Sequence, residues 1–318
     1  MQNITNPHEH FSSVLGMLAL HSPYFTEHIR SQVETLFHRI IGPSCTEADI
    51  NNLVSTMDKH RAIISGSAVL SMIYDNFSPN DIDWYISSTY RDGFVHYFVQ
   101  HGYRAEKFIK DKWSTSYDGL QVIESVDKLT QEGHPSMDII SCSMQSPISA
   151  IMRFHSTVVM NFMTARSLYI AHPLYLTQHI NVINLNGMLP WNNLRSDPAN
   201  FSPAYPEHET LGVISKRTDA ALQKYIKRGF KLCRGITSPH KCFQSGICPH
   251  TVRSTKDSHG TLIIFDEGAR TRVEQGDSKL LETLLTVDCG DVTWRLGGPS
   301  CFSGTLPSAP FFNVCKIS

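Results

Sequence analysis

The fold is decided by the stretch Ile63-Ile64-Ser65-Gly66-Ser67-Ala68-Val69, in which a glycine follows a run of apolar residues. The residues before Gly66 predict a short buried strand, and residues 67–75 carry apolar side chains at helical spacing and predict a helix. Gly66 therefore lies at the junction between a strand and a helix. A residue without a side chain at such a junction lets a ligand approach the backbone closely.

Two aspartates follow on the next predicted strand. Ser78-Pro79-Asn80 is typical of a turn, and Asp81–Ser87 is rich in Ile, Trp and Tyr and predicts a strand. Because residues i and i+2 of a strand point to the same face, the carboxylates of Asp81 and Asp83 project together. Crowded carboxylates repel each other unless a cation lies between them, and their hard oxygen ligands suit Mg²⁺. The pattern therefore predicts a magnesium site.

Gly66 and Ser67 complement this metal site by offering a place for phosphate. Backbone amides at the start of a helix favour anions, and the hydroxyl of Ser67 adds a hydrogen-bond donor for a terminal phosphate. Metal-binding carboxylates beside an anion site are what in-line displacement at the α-phosphate of a nucleotide requires. Each motif alone is also common in solvated turns, so it is their combination that favours a nucleotide site.

The combination resembles the core motif of the DNA polymerase β-like nucleotidyltransferase superfamily, over about residues 60–165. That motif has a hydrophobic residue, Gly, Gly or Ser, a spacer of roughly ten residues, and then Asp-hydrophobic-Asp on a strand. Within the superfamily, the sequence most resembles an uncharacterised fungal group. The likeness is carried by Ser65-Gly66-Ser67-Ala68, Pro79-Asn80-Asp81-Ile82-Asp83, Phe154-His155-Ser156-Thr157-Val158-Val159-Met160-Asn161 and Cys248-Pro249-His250-Thr251.

The resemblance implies a third carboxylate on a later strand. Asp138 is the best match, since it is a lone acid within an apolar strand pattern, and Asp118 and Asp127 are its competitors. By resemblance, Asp81 and Asp83 bind two Mg²⁺ ions, or Mn²⁺ in their place. Asp138 would complete the first metal site and help to deprotonate the attacking hydroxyl.

The remaining patterns predict a sheet flanked by helices. Apolar spacing predicts two helices within residues 24–58, with Thr46 as the N-cap of the second, and a further helix at residues 94–101. Strands are predicted at residues 120–126 and at Ser136–Cys142. The expected fold class is α+β, close to α/β: a small mixed β-sheet nucleotidyltransferase core flanked by helices, with a C-terminal helical and irregular region.

A change of composition divides the chain near residue 190. A stretch rich in Pro, Asn and Ser predicts a linker or long loop there. Residues 1–190 are expected to form the nucleotidyltransferase-like core with its N-terminal helices, and residues 191–318 a C-terminal region with a basic helix at 208–235.

The basic helix offers candidates for phosphate contact: Lys224, Lys227 and Arg228, which share a helix face with Lys231. The alternative is a solvated helix face.

A loop rich in Cys and His follows this helix. Cys233, Cys242, Cys248 and His250 fall within eighteen residues, and His240 and His259 are nearby. Thiolate and imidazole are the ligands that Zn²⁺ prefers, so these four residues are a candidate zinc site. The spacing lacks a Cys-x-x-Cys pair, and free or buried thiols remain the alternative.

Composition limits the classes of protein that fit. Of the 318 residues, 41% are hydrophobic and 18% charged, which favours a globular core over disorder. A formal net charge of -1 argues against a surface built as a whole for nucleic acid.

No apolar run reaches the roughly 18–20 residues that span a bilayer, and no export signal is recognised. We therefore expect an intracellular protein, cytoplasmic or nuclear, with no membrane partner. Eight cysteines then favour free thiols or metal ligands over disulfides.

Two functions fit these expectations. The first is a Mg²⁺-dependent nucleotidyltransferase that moves an NMP from a nucleoside triphosphate such as ATP to an acceptor hydroxyl and releases pyrophosphate. The second is a catalytically inactive nucleotide-binding or interaction protein that retains the same fold. A complete set of three acids favours the first. The acceptor is left open by the sequence and is a protein, an RNA or a small molecule.

Overall fold

The computed structural model describes residues 22–74, 77–79, 81–109, 122–184, 216–233 and 240–297. The strands in these ranges are β1 (Ile63–Ser65), β2 (Asp81–Ser87), β3 (Arg104–Ile109), β4 (Ile123–Thr130), β5 (Ser136–Cys142), β6 (Asn161–Met163), β7 (Ser167–Ile170), β8 (Ile180–Val182), β9 (Lys231–Cys233), β10 (Arg253–Ser254), β11 (Thr261–Ile264) and β12 (Thr293–Trp294).

The helices in the same ranges are α1 (Pro23–Ile41), α2 (Glu47–His60), α3 (Ser67–Ile73), α4 (Arg91–Gln100), α5 (Ile148–Ile151), α6 (Pro173–Thr177), α7 (Lys216–Lys227), α8 (Glu267–Glu274) and α9 (Ser278–Thr286). None of these helices is long and apolar enough to span a bilayer. Strands and helices of this kind confirm the predicted α+β class.

The main sheet has eight strands in the order β11-β7-β6-β1-β2-β5-β4-β3. The pair β2 and β5 is parallel, and the other neighbouring pairs are antiparallel, so the sheet is mixed. Alternate residues of its central strands face two cores. Ile64, Trp84 and Ile139 pack into one core. Their strand neighbours Ile63, Tyr85 and Ile140 pack into the other.

The two N-terminal helices are confirmed, and their ends follow from their sequences. The N–H of Gly42 donates to the carbonyl of His38 at the end of α1. Thr46 and Asp49 form a capping box at the start of α2, in which each side chain accepts a hydrogen bond from the other residue's backbone N–H. The strand β3, between α4 and β4, was not among the predicted elements.

The basic helix predicted at residues 208–235 is shorter within the described residues, which corrects the placement of Lys231. Helix α7 ends at Lys227, and Lys231 begins β9, which pairs in parallel with β8. Gly229 has a φ of 91°, a conformation open to glycine at little cost, and Phe230 is buried after it. The helix therefore stops where the chain turns inward.

The two regions predicted on either side of residue 190 share one sheet. Strand β11, from the C-terminal region, pairs with β7 along four residues and forms an edge of the sheet. Tyr225 and Phe230 are buried in the same core as residues of the N-terminal region. The predicted division near residue 190 therefore does not separate two sheets.

Candidate active site

The parallel pairing of β2 and β5 places two of the predicted acids side by side. Asp83 is the register partner of Asp138, and Asp81 is the partner of Ser136. Paired residues of neighbouring strands point to the same face of a sheet, so all three predicted carboxylates lie on one face. All three residues are partly exposed, so solvent reaches the cluster. We call Asp81, Asp83 and Asp138 the carboxylate cluster.

Gly66 lies directly against this cluster. It has a φ of 72°, and a Cβ atom added at this position would come within 2.8 Å of the Asp83 carboxylate oxygen Oδ2. A real Cβ atom does not tolerate such an approach, so both the backbone conformation and the neighbouring carboxylate require glycine here. The Gly-Ser junction and the Asp-x-Asp strand, separated by a turn in sequence, therefore meet in one place.

The negative charges of neighbouring residues act on the carboxyl group of Asp83. Burial raises the pKa of Asp83 to about 7, and the negative charges of Asp81 and Asp138 add to that rise. Lys224 acts in the opposite direction and lowers the pKa. The two like charges that raise the pKa of Asp83 are charges that a cation bound at the cluster would offset.

The three basic residues predicted to contact phosphate differ in position. Lys224 faces the cluster, since Asp81 and Asp83 act on its pKa; burial and the charge of Arg228 nevertheless lower that pKa overall. The guanidinium of Arg228 lies 5.1 Å from the ring centre of Phe77 and 5.7 Å from that of Tyr225. Lys227 is exposed on the helix. The structure thus brings Lys224 to the carboxylates and leaves Lys227 in solvent.

Asp127 and Asp118 are the two other candidates for the third carboxylate. Asp127, on β4, is buried and its carboxylate accepts two hydrogen bonds from the guanidinium of Arg91, one of them at 2.6 Å from Nε. Its register partner is Ile139, so Asp127 points to the face opposite the cluster. Asp118 lies outside the described residues.

Two residues beside Lys224 were not predicted as site residues. Burial, followed by the charge of Lys224, lowers the pKa of His155 to about 4, so its imidazole is neutral at physiological pH. Burial raises the pKa of Tyr225 to about 12, and Asp83 and Asp81 act in the same direction. The signal that points to His155 as a site residue is the effect of Lys224 on its pKa, which no local sequence pattern reveals.

Ser67 begins α3 and is buried. Ser65, two residues earlier and the register partner of Asp83, has a structural role because its hydroxyl donates to the carbonyl of Asn161 at 2.6 Å. This bond ties β1 to β6. The phosphate-binding role of Gly66 and Ser67 stays a prediction.

The Cys/His loop gathers a different set of ligands from the predicted one. His240, Cys242 and Cys248 lie together, with their ligand atoms all within 4.8 Å of one another. Cys233 is part of β9, where its carbonyl accepts a hydrogen bond from the N–H of Ile183. Cys233 and His250 are not members of the group, so the predicted four-residue set is replaced by these three residues.

Comparison of the chain with known protein families, with curated proteins and with solved structures finds no match. The function is therefore inferred from the geometry and the charges of the site.

Proposed function

We propose that this protein is a divalent-metal-dependent nucleotidyltransferase whose active site is the carboxylate cluster. The observation that carries the proposal is the register of Asp83 with Asp138 beside Gly66. Three carboxylates on one face of a sheet would supply a metal site, and the Gly66-Ser67 junction that touches Asp83 would supply the phosphate side of the motif that the sequence resembles. The fold is consistent with the nucleotidyltransferase core that the sequence resembles.

Carboxylate oxygen is the ligand type that Mg²⁺ and Mn²⁺ prefer. The cluster offers oxygen ligands, which are the ligands of hard divalent cations, and the negative charges of Asp81 and Asp138 raise the pKa of Asp83. Asp81, Asp83 and Asp138 would hold the metal. When bound, the metal would neutralise phosphate charge and lower the pKa of the acceptor hydroxyl.

The chain's own residues would bind the phosphates and accept the proton of the acceptor hydroxyl. Gly66 lets the Asp83 carboxylate lie against the backbone where α3 begins, and Ser67 offers a hydroxyl donor to the phosphates. Lys224 supplies positive charge to the phosphates. The oxygen of the acceptor hydroxyl forms a bond to the α-phosphorus, and the bond from that phosphorus to the leaving pyrophosphate breaks. Asp138 accepts the proton of the hydroxyl.

The decisive experiment measures transfer with each α-labelled nucleoside triphosphate, with Mg²⁺ or Mn²⁺ and a cell extract as the source of acceptors. Asp83→Asn and Asp138→Asn should each lower transfer by roughly a thousandfold or more, because each removes a metal-binding charge. Asp92→Asn is the matched control, since Asp92 is an exposed aspartate on α4 whose side chain is 91% accessible. It should transfer at the wild-type rate.

The same experiment identifies the acceptor class. The acceptor class is the one to which the label moves: protein, RNA or small molecule. The geometry of the site does not favour any of the three. Metal-dependent nucleotide binding without transfer to any acceptor would instead support the alternative, an inactive nucleotide-binding protein. Wild-type transfer by Asp83→Asn would rule out the cluster as the active site.

A further inference from the structure

We propose that His240, Cys242 and Cys248 form a zinc site that is separate from the carboxylate cluster. Among the residues that the structure describes, they are the one group of three metal-ligand side chains whose ligand atoms all lie within 4.8 Å of one another. Two sulfurs and one imidazole nitrogen form a soft donor set, which selects Zn²⁺ over the hard cations expected at the carboxylates.

The distances within the group match a tetrahedral site. The Sγ atom of Cys242 lies 3.6 Å from Nε2 of His240. Zinc bonds of about 2.3 Å to sulfur and 2.0 Å to nitrogen place tetrahedral ligand atoms roughly 3.5 to 3.8 Å apart. The observed pair is therefore already spaced as two ligands of one ion, and the third ligand needs to move by about 1 Å at most. Three protein ligands leave one tetrahedral position for a water molecule.

The backbone holds the two cysteines in place. Phe243, directly after Cys242, has a φ of 63°, a conformation that residues other than glycine seldom adopt. In this conformation its N–H donates to the sulfur of Cys248, with the nitrogen 3.4 Å from Sγ. This bond joins the backbone next to Cys242 to the side chain of Cys248 and so fixes the two cysteines relative to each other.

Further hydrogen bonds join this loop to the rest of the protein. The hydroxyl of Thr251 donates to the carbonyl of Ser245 at 2.7 Å, and the hydroxyl of Tyr175, on α6, donates to the carbonyl of Ile247. The described residues from 240 to 252 contain neither helix nor strand. A bound metal would brace this segment, which forms no helix or strand of its own.

The test is the zinc content of the purified full-length chain, prepared with a reductant and freed of loosely bound metal on a chelating resin. Wild type should retain about one zinc per chain, and Cys242→Ser and His240→Ala should lose most of it. Cys45→Ser is the matched control, because Cys45 also touches a histidine, with its Sγ 3.0 Å from Nδ1 of His38, but it lies outside the three-residue group. It should retain the metal.

Cobalt gives a second measurement that does not depend on the variants folding. Wild-type protein stripped of metal and titrated with Co²⁺ should show the visible absorption of tetrahedral cobalt together with a thiolate charge-transfer band, and Zn²⁺ should abolish both. Wild type that binds neither ion, or Cys242→Ser that retains full zinc, would overturn the proposal. Neither result bears on nucleotidyl transfer, so the two proposals fail independently.

Discussion

The carboxylate cluster differs from a second group of interior polar side chains in how its charges are balanced. The second group, which we call the arginine cluster, comprises Arg253, Asp257, His172 and Trp294. Arg253 is 2% exposed, and its guanidinium donates to Asp257 through Nε at 2.6 Å and through Nη2 at 3.1 Å. Here each charge has an opposite charge in direct contact.

The same type of side chain responds in opposite ways in the two clusters. Burial alone would raise the pKa of Asp257, but hydrogen bonds from Arg253 and from backbone N–H groups outweigh it and lower the pKa. Burial and two like charges raise the pKa of Asp83 to about 7. A balanced group stabilises the fold, whereas an unbalanced one opposes it and is retained where a ligand restores the balance. This difference is why we assign function to one cluster and structure to the other.

The largest effect should come from breaking the arginine cluster. Asp257→Ala removes the partner of a buried guanidinium, so it should lower the free energy of unfolding by about 3–5 kcal/mol in urea titrations. Glu282→Ala is the control, because Glu282 pairs with Lys256 at the surface and its side chain is 60% exposed. That change should cost about 1 kcal/mol or less. Equal losses in the two variants would contradict the distinction between buried and exposed pairs.

At the carboxylate cluster, removing a charge should raise the free energy of unfolding rather than lower it. The folded state binds more protons than the unfolded state between about pH 4 and pH 7, because folding raises the pKa of Asp83, so stability falls as pH rises through this window. Asp83→Asn removes the charge and should stabilise the metal-free protein at pH 8 by about 2 kcal/mol. The rise of the Asp83 pKa to about 7 corresponds to about 4 kcal/mol, and about half of this is expected because solvent reaches the site.

Urea titrations of wild type and Asp83→Asn with a chelator present, at pH 8 and at pH 4, check this expectation. The gain should be full at pH 8 and absent at pH 4, where Asp83 is protonated in the folded state. A variant that is less stable than wild type at pH 8 would mean that the carboxylate is balanced by a partner, as Asp257 is.

Local sequence patterns predicted the parts of the site but not their assembly. The alternation of β2 placed Asp81 and Asp83 on one face, and the apolar surroundings of Asp138 marked it as the third acid. The parallel pairing of β2 with β5 joins residues more than fifty positions apart, so it follows from tertiary packing. The exclusion of Asp127 likewise depends on its contact with Arg91.

The C-terminal part was the least predictable for the same reason. Strand β11 has four residues, too few for a clear pattern, and it joins a sheet whose other strands all precede residue 171. Lys224 was one of several basic residues on its helix, and the choice between them depends on which side of α7 packs on the core. Leu222 and Tyr225 are buried on that side.

A smaller effect tests whether a cation restores the balance of the carboxylate cluster. Because Mg²⁺ binds ionised carboxylates, binding at pH 6 must expel the proton from Asp83, whose pKa is about 7. The affinity for Mg²⁺ should therefore be about tenfold weaker at pH 6 than at pH 8. Calorimetry in two buffers of different ionisation enthalpy measures the proton release directly. Asp83→Asn should release no proton at either pH, and a pH-independent affinity in wild type would argue against binding at this residue.

The smallest effect separates Lys224 from Lys227. Both are exposed residues of α7, but Lys224 lies close enough to Asp81 and Asp83 for their charges to act on its pKa. Lys224→Met should raise the KM for the nucleoside triphosphate by about fivefold, roughly 1 kcal/mol for a partly solvated charge, and the difference from wild type should shrink in high salt. Lys227→Met should leave KM unchanged. Equal effects of the two substitutions would mean that the helix contributes only a diffuse positive field and that Lys224 has no specific part in nucleotide binding.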